Sequence, residues 1–237
     1  MKNLVIVGAG QGLGMGIARA FGGKGFQVGL IARTARTLTA LGDELAGQGI
    51  TAATAAADLH DRASVTSALT SLEAELGSID VLEYSPSPTG QITSAAATTV
   101  DSAADQFELH VLGAITAVHH VLPGMRQRGT GTILLTTGVS SLVAAPFLGN
   151  VGLAMSALRN WALALHTELT PEGVHVATVT IASGVVPGGG EADPDAIGAR
   201  YYDLHHAGGR PEEVIGDVEA FKALVAASAS TRGRLTT

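Results

Sequence analysis

The chain has 237 residues, 46% hydrophobic and 15% charged, which suits one compact domain with a large core and excludes disorder as its dominant state. A formal net charge of −7 argues against a nucleic-acid or anionic-membrane surface, and the absence of cysteine excludes disulfides, thiolate metal sites and a cysteine nucleophile. The 31 glycines have no three-residue period, and the apolar runs are broken before they reach membrane-spanning length, so collagen-like and transmembrane classes also fall.

Residues 4–7 predict a strand that runs directly into Gly8-Ala9-Gly10-Gln11-Gly12-Leu13-Gly14, and residues 15–21 behind it carry helical spacing. The start shows no signal-peptide cleavage site, so a cytoplasmic protein is expected. A second strand over 26–32, a helix over 37–46, a strand over 50–57, a helix over 62–76 and a strand over 81–84 continue the alternation. A long helix over 101–125, a strand over 132–137, a helix over 153–169 and a strand over 174–181 complete it. Strands and helices alternating at this spacing require right-handed crossovers onto a parallel sheet. The expectation is a single α/β domain over 1–237, doubly wound, with six or seven parallel strands. Beyond Gly188, a helix carrying 201–206 and a fraying polar tail over 228–237 form the substrate side, with no clear strand near 214–226.

The glycine turn follows a strand and opens a helix, the context that gives it chemical meaning. Its glycines let the backbone approach a diphosphate whose charge meets amides at a helix N-terminus. The plainer alternative is a turn chosen only for tight packing. The spacing Gly8-x3-Gly12-x-Gly14 resembles the turn of the short-chain dehydrogenase/reductase family, and Asp58-Leu59, Asp80-Val81-Leu82 and Gly131-Thr132-Ile133-Leu134-Leu135 extend the resemblance over about the first 185 residues. It implies a single Rossmann domain, a nicotinamide cofactor, a small-molecule substrate, and a homodimer or homotetramer formed through two long central helices.

At the end of the second strand an NAD enzyme carries Asp or Glu for the ribose 2′-hydroxyl. Here the strand ends Ala32-Arg33-Thr34, which favours NADP(H), with Arg33 suited to the 2′-phosphate and Arg36 assisting. A solvated surface arginine is the other reading of Arg33. Gln11 stands where NADP members of the family often place a further basic residue. Gly8, Gln11, Gly12, Leu13, Gly14, Arg33, Thr34, Asp58, Leu59, Ser85 and Gly184 are the expected cofactor contacts.

The family's catalytic serine ends the fifth strand, its tyrosine follows thirteen residues later and its lysine four after that, positions held here by Gly138, Val151 and Met155. No Tyr lies between Tyr84 and Tyr201 and no Lys between Lys24 and Lys222, so no shift of register restores the set. His110 occupies the family's asparagine position, and Tyr84-Ser85-Pro86-Ser87 replaces its Asn-Asn-Ala-Gly. The resemblance therefore implies a divergent member with a non-standard active site. Substitute groups are His110, whose imidazole titrates near neutrality, Tyr84 at the end of the fourth strand, and Ser140 in the loop after the fifth. Each has a structural alternative: a helix histidine bonded to a carbonyl, an aromatic filling space, a turn-forming serine. Asn150 and Ser141 have the same two readings, and Tyr201, Tyr202, His205 and His206 either close over substrate or cover the core.

A serine hydrolase needs Gly-x-Ser-x-Gly, and Gly138-Val139-Ser140-Ser141-Leu142 lacks the last glycine. The pairs His119-His120 and His205-His206 point to different helix faces and no HExxH occurs, so no metal site is expected. Two readings remain. One is an NADP(H)-dependent reductase of a small carbonyl, imine, iminium or enone. The other is an NADP(H)-binding sensor or scaffold without turnover.

Overall fold

The computed structural model of the protein describes residues 1–233. Its first half runs β1 (Asn3–Val7), α1 (Leu13–Gly22), β2 (Gln27–Ala32), α2 (Ala35–Gly47), β3 (Ala52–Ala56), α3 (Arg62–Leu76) and β4 (Val81–Tyr84). The second runs α4 (Val100–Phe107), α5 (Gly113–Arg128), β5 (Gly131–Gly138), α6 (Gly149–Leu169), β6 (Val174–Ala182), α7 (Pro194–Ala207), β7 (Glu212–Gly216) and α8 (Val218–Gly233). The seven strands pair in parallel in the order β3-β2-β1-β4-β5-β6-β7, a single Rossmann-like sheet. Strand order reverses between β1 and β4, so a crevice opens beyond their carboxyl ends.

The central strands are buried on both faces, which is why they read as apolar runs. Alternation along each strand then assigns residues to one of two cores. Val5, Val7, Leu82, Tyr84, Ile133 and Leu135 face the layer of α3, α5 and α6. Leu4, Ile6, Val81 and Leu134 face the layer of α1, α2 and α7. On this second side lies one residue of unlike chemistry, Glu83, fully buried in β4. Helices α1 and α7 cross so closely that a Cβ on Gly16 would strike the carbonyl of Pro194, and one on Gly198 the backbone of Gly16.

Several boundaries differ from expectation. The C-terminal region supplies a seventh strand, β7, whose five residues offer only Val214 and Ile215 as apolar signal. Ion pairs from Arg159 to Glu212 (2.5 Å) and from Arg210 to Glu213 (2.6 Å) help seat it, and the first joins residues far apart in the chain. As far as Gly233 the expected tail is the end of α8; residues 234–237 lie outside the described residues. The long helix over 101–125 is divided by a π turn at Glu108–Leu112. There Tyr84 Oη donates to the carbonyl of Leu109 at 2.5 Å, satisfying an acceptor at the interrupted ladder.

Candidate active site

Two cavities meet above the switch point. One of about 540 Å³ runs from the glycine turn past the ends of β4, β5 and β6. Another of about 230 Å³ lies toward β2 and β3, and Gly8, Gly10, Pro86 and Ser87 line both. Gly8 is required twice over: its φ is +94°, and a Cβ there would lie 2.6 Å from Pro86 Cα. Gly10 would meet nothing within 4 Å, so its backbone faces open cleft. Helix α1 starts with Gly12 at its N-cap, no side-chain cap and no acid in its first turn, leaving its N–H groups for an anion.

This arrangement fits a dinucleotide, with a diphosphate at the waist and a nucleoside at each side. Gly8, Gln11, Gly12, Leu13, Gly14 and Ser85 line the larger cavity, and Arg33, Asp58 and Leu59 the smaller. Arg33 is exposed. The His60 amide donates to Asp58 Oδ1 at 3.1 Å and holds that carboxyl below its usual range, with the His60 ring and Arg33 adding smaller effects. His60 Nε2 lies 3.1 Å from Asp105 Oδ1, so this edge is an ordered set of exposed charges. Thr34 and Gly184 fall outside both cavities: Thr34 is the N-cap residue of α2, and Gly184 lines a neighbouring cavity beside α8.

Gly138, Val151 and Met155 all line the larger cavity, as does Ser140. A Cβ on Gly138 would lie 3.8 Å from Ser140 Oγ, so the Ser140 hydroxyl stands next to the space a side chain at 138 would occupy. Tyr84 and His110 line neither cavity. Tyr84 is wholly buried against the π turn, and burial raises its phenol far above the usual range. His110 is 1% exposed with no hydrogen-bond partner for Nε2 among the described residues, and burial lowers its imidazole to about 4. Strand alternation explains the placement of Tyr84, whose side chain is turned into the core against α5, where a Cβ on Gly113 would strike its hydroxyl.

Asn150 is a buried strut: its Oδ1 accepts from the Thr93 amide at 2.9 Å and its Nδ2 donates to the Gln91 carbonyl at 2.9 Å. Tyr202 and His205 pack with Phe21 and Phe26, covering the core. Tyr201 has a different role. Its hydroxyl lies 2.7 Å from Thr136 Oγ1, which donates to Glu83 Oε1 at 2.7 Å, while Ser85 Oγ donates to Glu83 Oε2 at 2.8 Å. Burial pushes the Glu83 carboxyl up to about 8 against the opposing effect of the two hydroxyls. Sequence reasoning passed over Glu83 and Thr136; the available signal was a charge inside the apolar run Val81-Leu82-Glu83-Tyr84.

Comparison with known proteins bears on this geometry. Residues 2–189 match the short chain dehydrogenase family model. The very-long-chain 3-oxoacyl-CoA reductase of Emericella nidulans is 30% identical over 178 residues, covering 74% of this chain and 51% of that protein. The chain thus spans about half the length of that curated relative. Among solved structures, the L-sorbose reductase of Gluconobacter frateurii, complexed with NADPH and L-sorbose, superposes with a TM-score of 0.80 at 20% identity, over 90% of this chain and 94% of that one. The gluconate 5-dehydrogenase of Burkholderia cenocepacia, in complex with NADP and tartrate, gives 0.70 at 22% identity over 76% and 71%. These two likenesses concern the fold.

Proposed function

The chain belongs to the short-chain dehydrogenase family of nicotinamide-dependent oxidoreductases, and on that premise we propose that it is an NADP(H)-dependent reductase of a small carbonyl, imine, iminium or enone, with a non-standard active site. The observation that carries this reading is the open space of about 540 Å³ continuous with the glycine turn. Met155 forms part of its wall, and Phe147 is turned away to pack on Phe221 at 6.1 Å between ring centroids. The match to a dehydrogenase family and the likeness to a curated reductase do not favour a sensor or scaffold that only holds the nucleotide.

In this reading the first-turn amides of α1 hold the diphosphate, Arg33 holds the 2′-phosphate, and Asp58 and Leu59 border the adenine. When bound, the cofactor supplies hydride; the chain must hold the substrate and provide a proton where the product needs one. Ile92, Leu148, Val151, Met155 and Val185 make the larger cavity's wall largely apolar, so the substrate is expected to carry apolar groups beside its reacting atom. Ser140 supplies a hydroxyl to orient it. With Gly138, Val151 and Met155 at the family's catalytic positions, the usual proton donor is missing, a loss that typically costs about 10² to 10⁴ in rate unless another group replaces it.

The test is titration with NADPH and NADH, followed by NADPH oxidation against ketones, imines and enones. Tighter NADPH binding and a substrate-dependent rate are expected. Equal affinity for the two nucleotides, or a nicotinamide ring lying outside the larger cavity in a complex, overturns the reading. We also propose a homodimer or homotetramer, because Val100, Phe107 and Leu153 are exposed apolar side chains on α4, the end of α4 and α6. Light scattering of a stable monomer at micromolar concentration would contradict it.

A further inference from the structure

We propose that Glu83 is the proton reservoir of the cleft, a buried carboxylic acid that hands its proton outward through the Ser85 hydroxyl to the group being reduced. The relay deepens the reductase reading and rests on it, whereas the protonation of Glu83 can be measured without it.

Strand alternation places Glu83 on the side of Ile6, Val81 and Leu134, with no exposed surface. Its two oxygens are met by the hydroxyls of Ser85 and Thr136, with no cation paired to it among the described residues. An ionised carboxylate in such a layer loses its hydration without a countercharge, a cost that neutralisation avoids. Ser85 and Thr136 are half-buried, and both line the larger cavity, so the acid is hidden while its hydrogen-bond partners reach the cleft. Facing it from the neighbouring elements are Ile6 of β1, Leu134 and Thr136 of β5, and Tyr201 of α7. Tyr201 is the titratable member of that set, and burial, with a further contribution from Glu83, holds its phenol protonated.

Protonated Glu83 gives the network one consistent direction. Tyr201 Oη–H donates to Thr136 Oγ1, Thr136 donates to Glu83 Oε1, and protonation reverses the bond to Ser85, so that Glu83 Oε2–H donates to Ser85 Oγ and frees the Ser85 hydrogen for the cleft. When hydride from a reduced nicotinamide reaches the substrate carbon, the electron pair left on the substrate takes the Ser85 proton. The Ser85 O–H bond that breaks is replaced by one made with the Glu83 proton. Glu83 is left as a carboxylate accepting from Ser85, and one proton from solvent restores it before the next turnover. The relay supplies one proton per hydride and uses no group from the positions of Gly138, Val151 and Met155.

Infrared difference spectroscopy of the wild type against Glu83→Gln, from about pH 6 to about pH 10, tests the reservoir directly. A protonated-carboxyl band that disappears with a midpoint of about 8, and that the variant lacks, is expected. A carboxylate throughout that range overturns the proposal whatever the activity. Glutamine retains an acceptor for Thr136, so the variant should fold and bind NADPH, while kcat falls about 100-fold or more with KM little changed and the alkaline limb of its pH profile flattens. An unchanged kcat overturns the relay. NADPH titration of both proteins separates the two ideas: nucleotide binding without the band overturns the reservoir alone, and the band without nucleotide binding overturns the reductase reading and the relay with it.

Discussion

The two ends of the cleft hold their charge in opposite ways. At the smaller cavity Arg33 and Asp58 are exposed and His60 is partly so, with its ring bridging Asp58 and Asp105 in contact with solvent. At the larger cavity the walls are apolar and hydroxylic, and the acidic group lies one layer beneath, at Glu83. Exposed charges are screened, so they confer selectivity in modest increments. A buried carboxyl has its protonation set by desolvation, which is what proton transfer near neutral pH requires. Substitution at one end should therefore leave the other intact.

The strongest break of this comparison is at the waist. Gly10→Val should leave the fold unchanged, because the site opens onto empty space, yet block the diphosphate and weaken NADPH and NADH alike by 100-fold or more, about 2.7 kcal/mol. Calorimetric titration checks it, and retained binding would move the cofactor elsewhere. Arg33→Ala should then act on one nucleotide only, raising the NADPH dissociation constant by about 10- to 100-fold while NADH changes little, the scale of a charge-assisted hydrogen bond of roughly 1.5–3 kcal/mol.

The larger cavity predicts a pH effect of its own. The Glu83 carboxyl rises from 4.5 to about 8 on folding, so the folded chain holds a proton that the unfolded chain has lost. The corresponding stability is full below 4.5 and is lost as pH rises through about 8. His110 and His205, lowered from 6.5 to about 4, act in the reverse sense: their stability is present above 6.5 and lost as pH falls through about 4. Between about pH 7 and 8, where the histidines have finished titrating, wild-type stability should fall by up to about 1.4 kcal/mol per pH unit, and Glu83→Gln should flatten the slope. Urea midpoints measure both. The smallest effect is expected at Tyr84→Phe, which removes the hydroxyl bonded to Leu109 and should cost about 1 kcal/mol of stability while leaving NADPH affinity unchanged. A specific loss of turnover in that variant would return Tyr84 to the chemistry.

Much of the binding end was legible in the sequence because its signals are local. The glycine turn sits between one strand and one helix, and the choice of Arg33 over an acid is made by a single residue at the end of β2. Gly138, Val151 and Met155, the positions that the family resemblance pointed to, line one cavity together with Ser140. Tyr84 and His110 were less legible. Position at a strand end and on a helix brings a residue near the crevice, but side-chain direction depends on strand alternation and on the π turn, whose extra residue changes the helical phase. The seventh strand was hidden for another reason: a five-residue edge segment carries little periodic signal, and one of its ion pairs comes from Arg159 on the distant α6.

By itself the sequence determined the parallel α/β alternation and the glycine turn between the first strand and its helix, because each is written within a few residues. Only the tertiary structure decided which groups have taken up charge and protons around the cleft. Thr136 lies 53 residues from Glu83, and Tyr201 lies 65 from Thr136. Folding brings them into one hydrogen-bonded line and removes Glu83 from water, and that loss of water turns an ordinary carboxylate into an acid able to keep its proton at neutral pH.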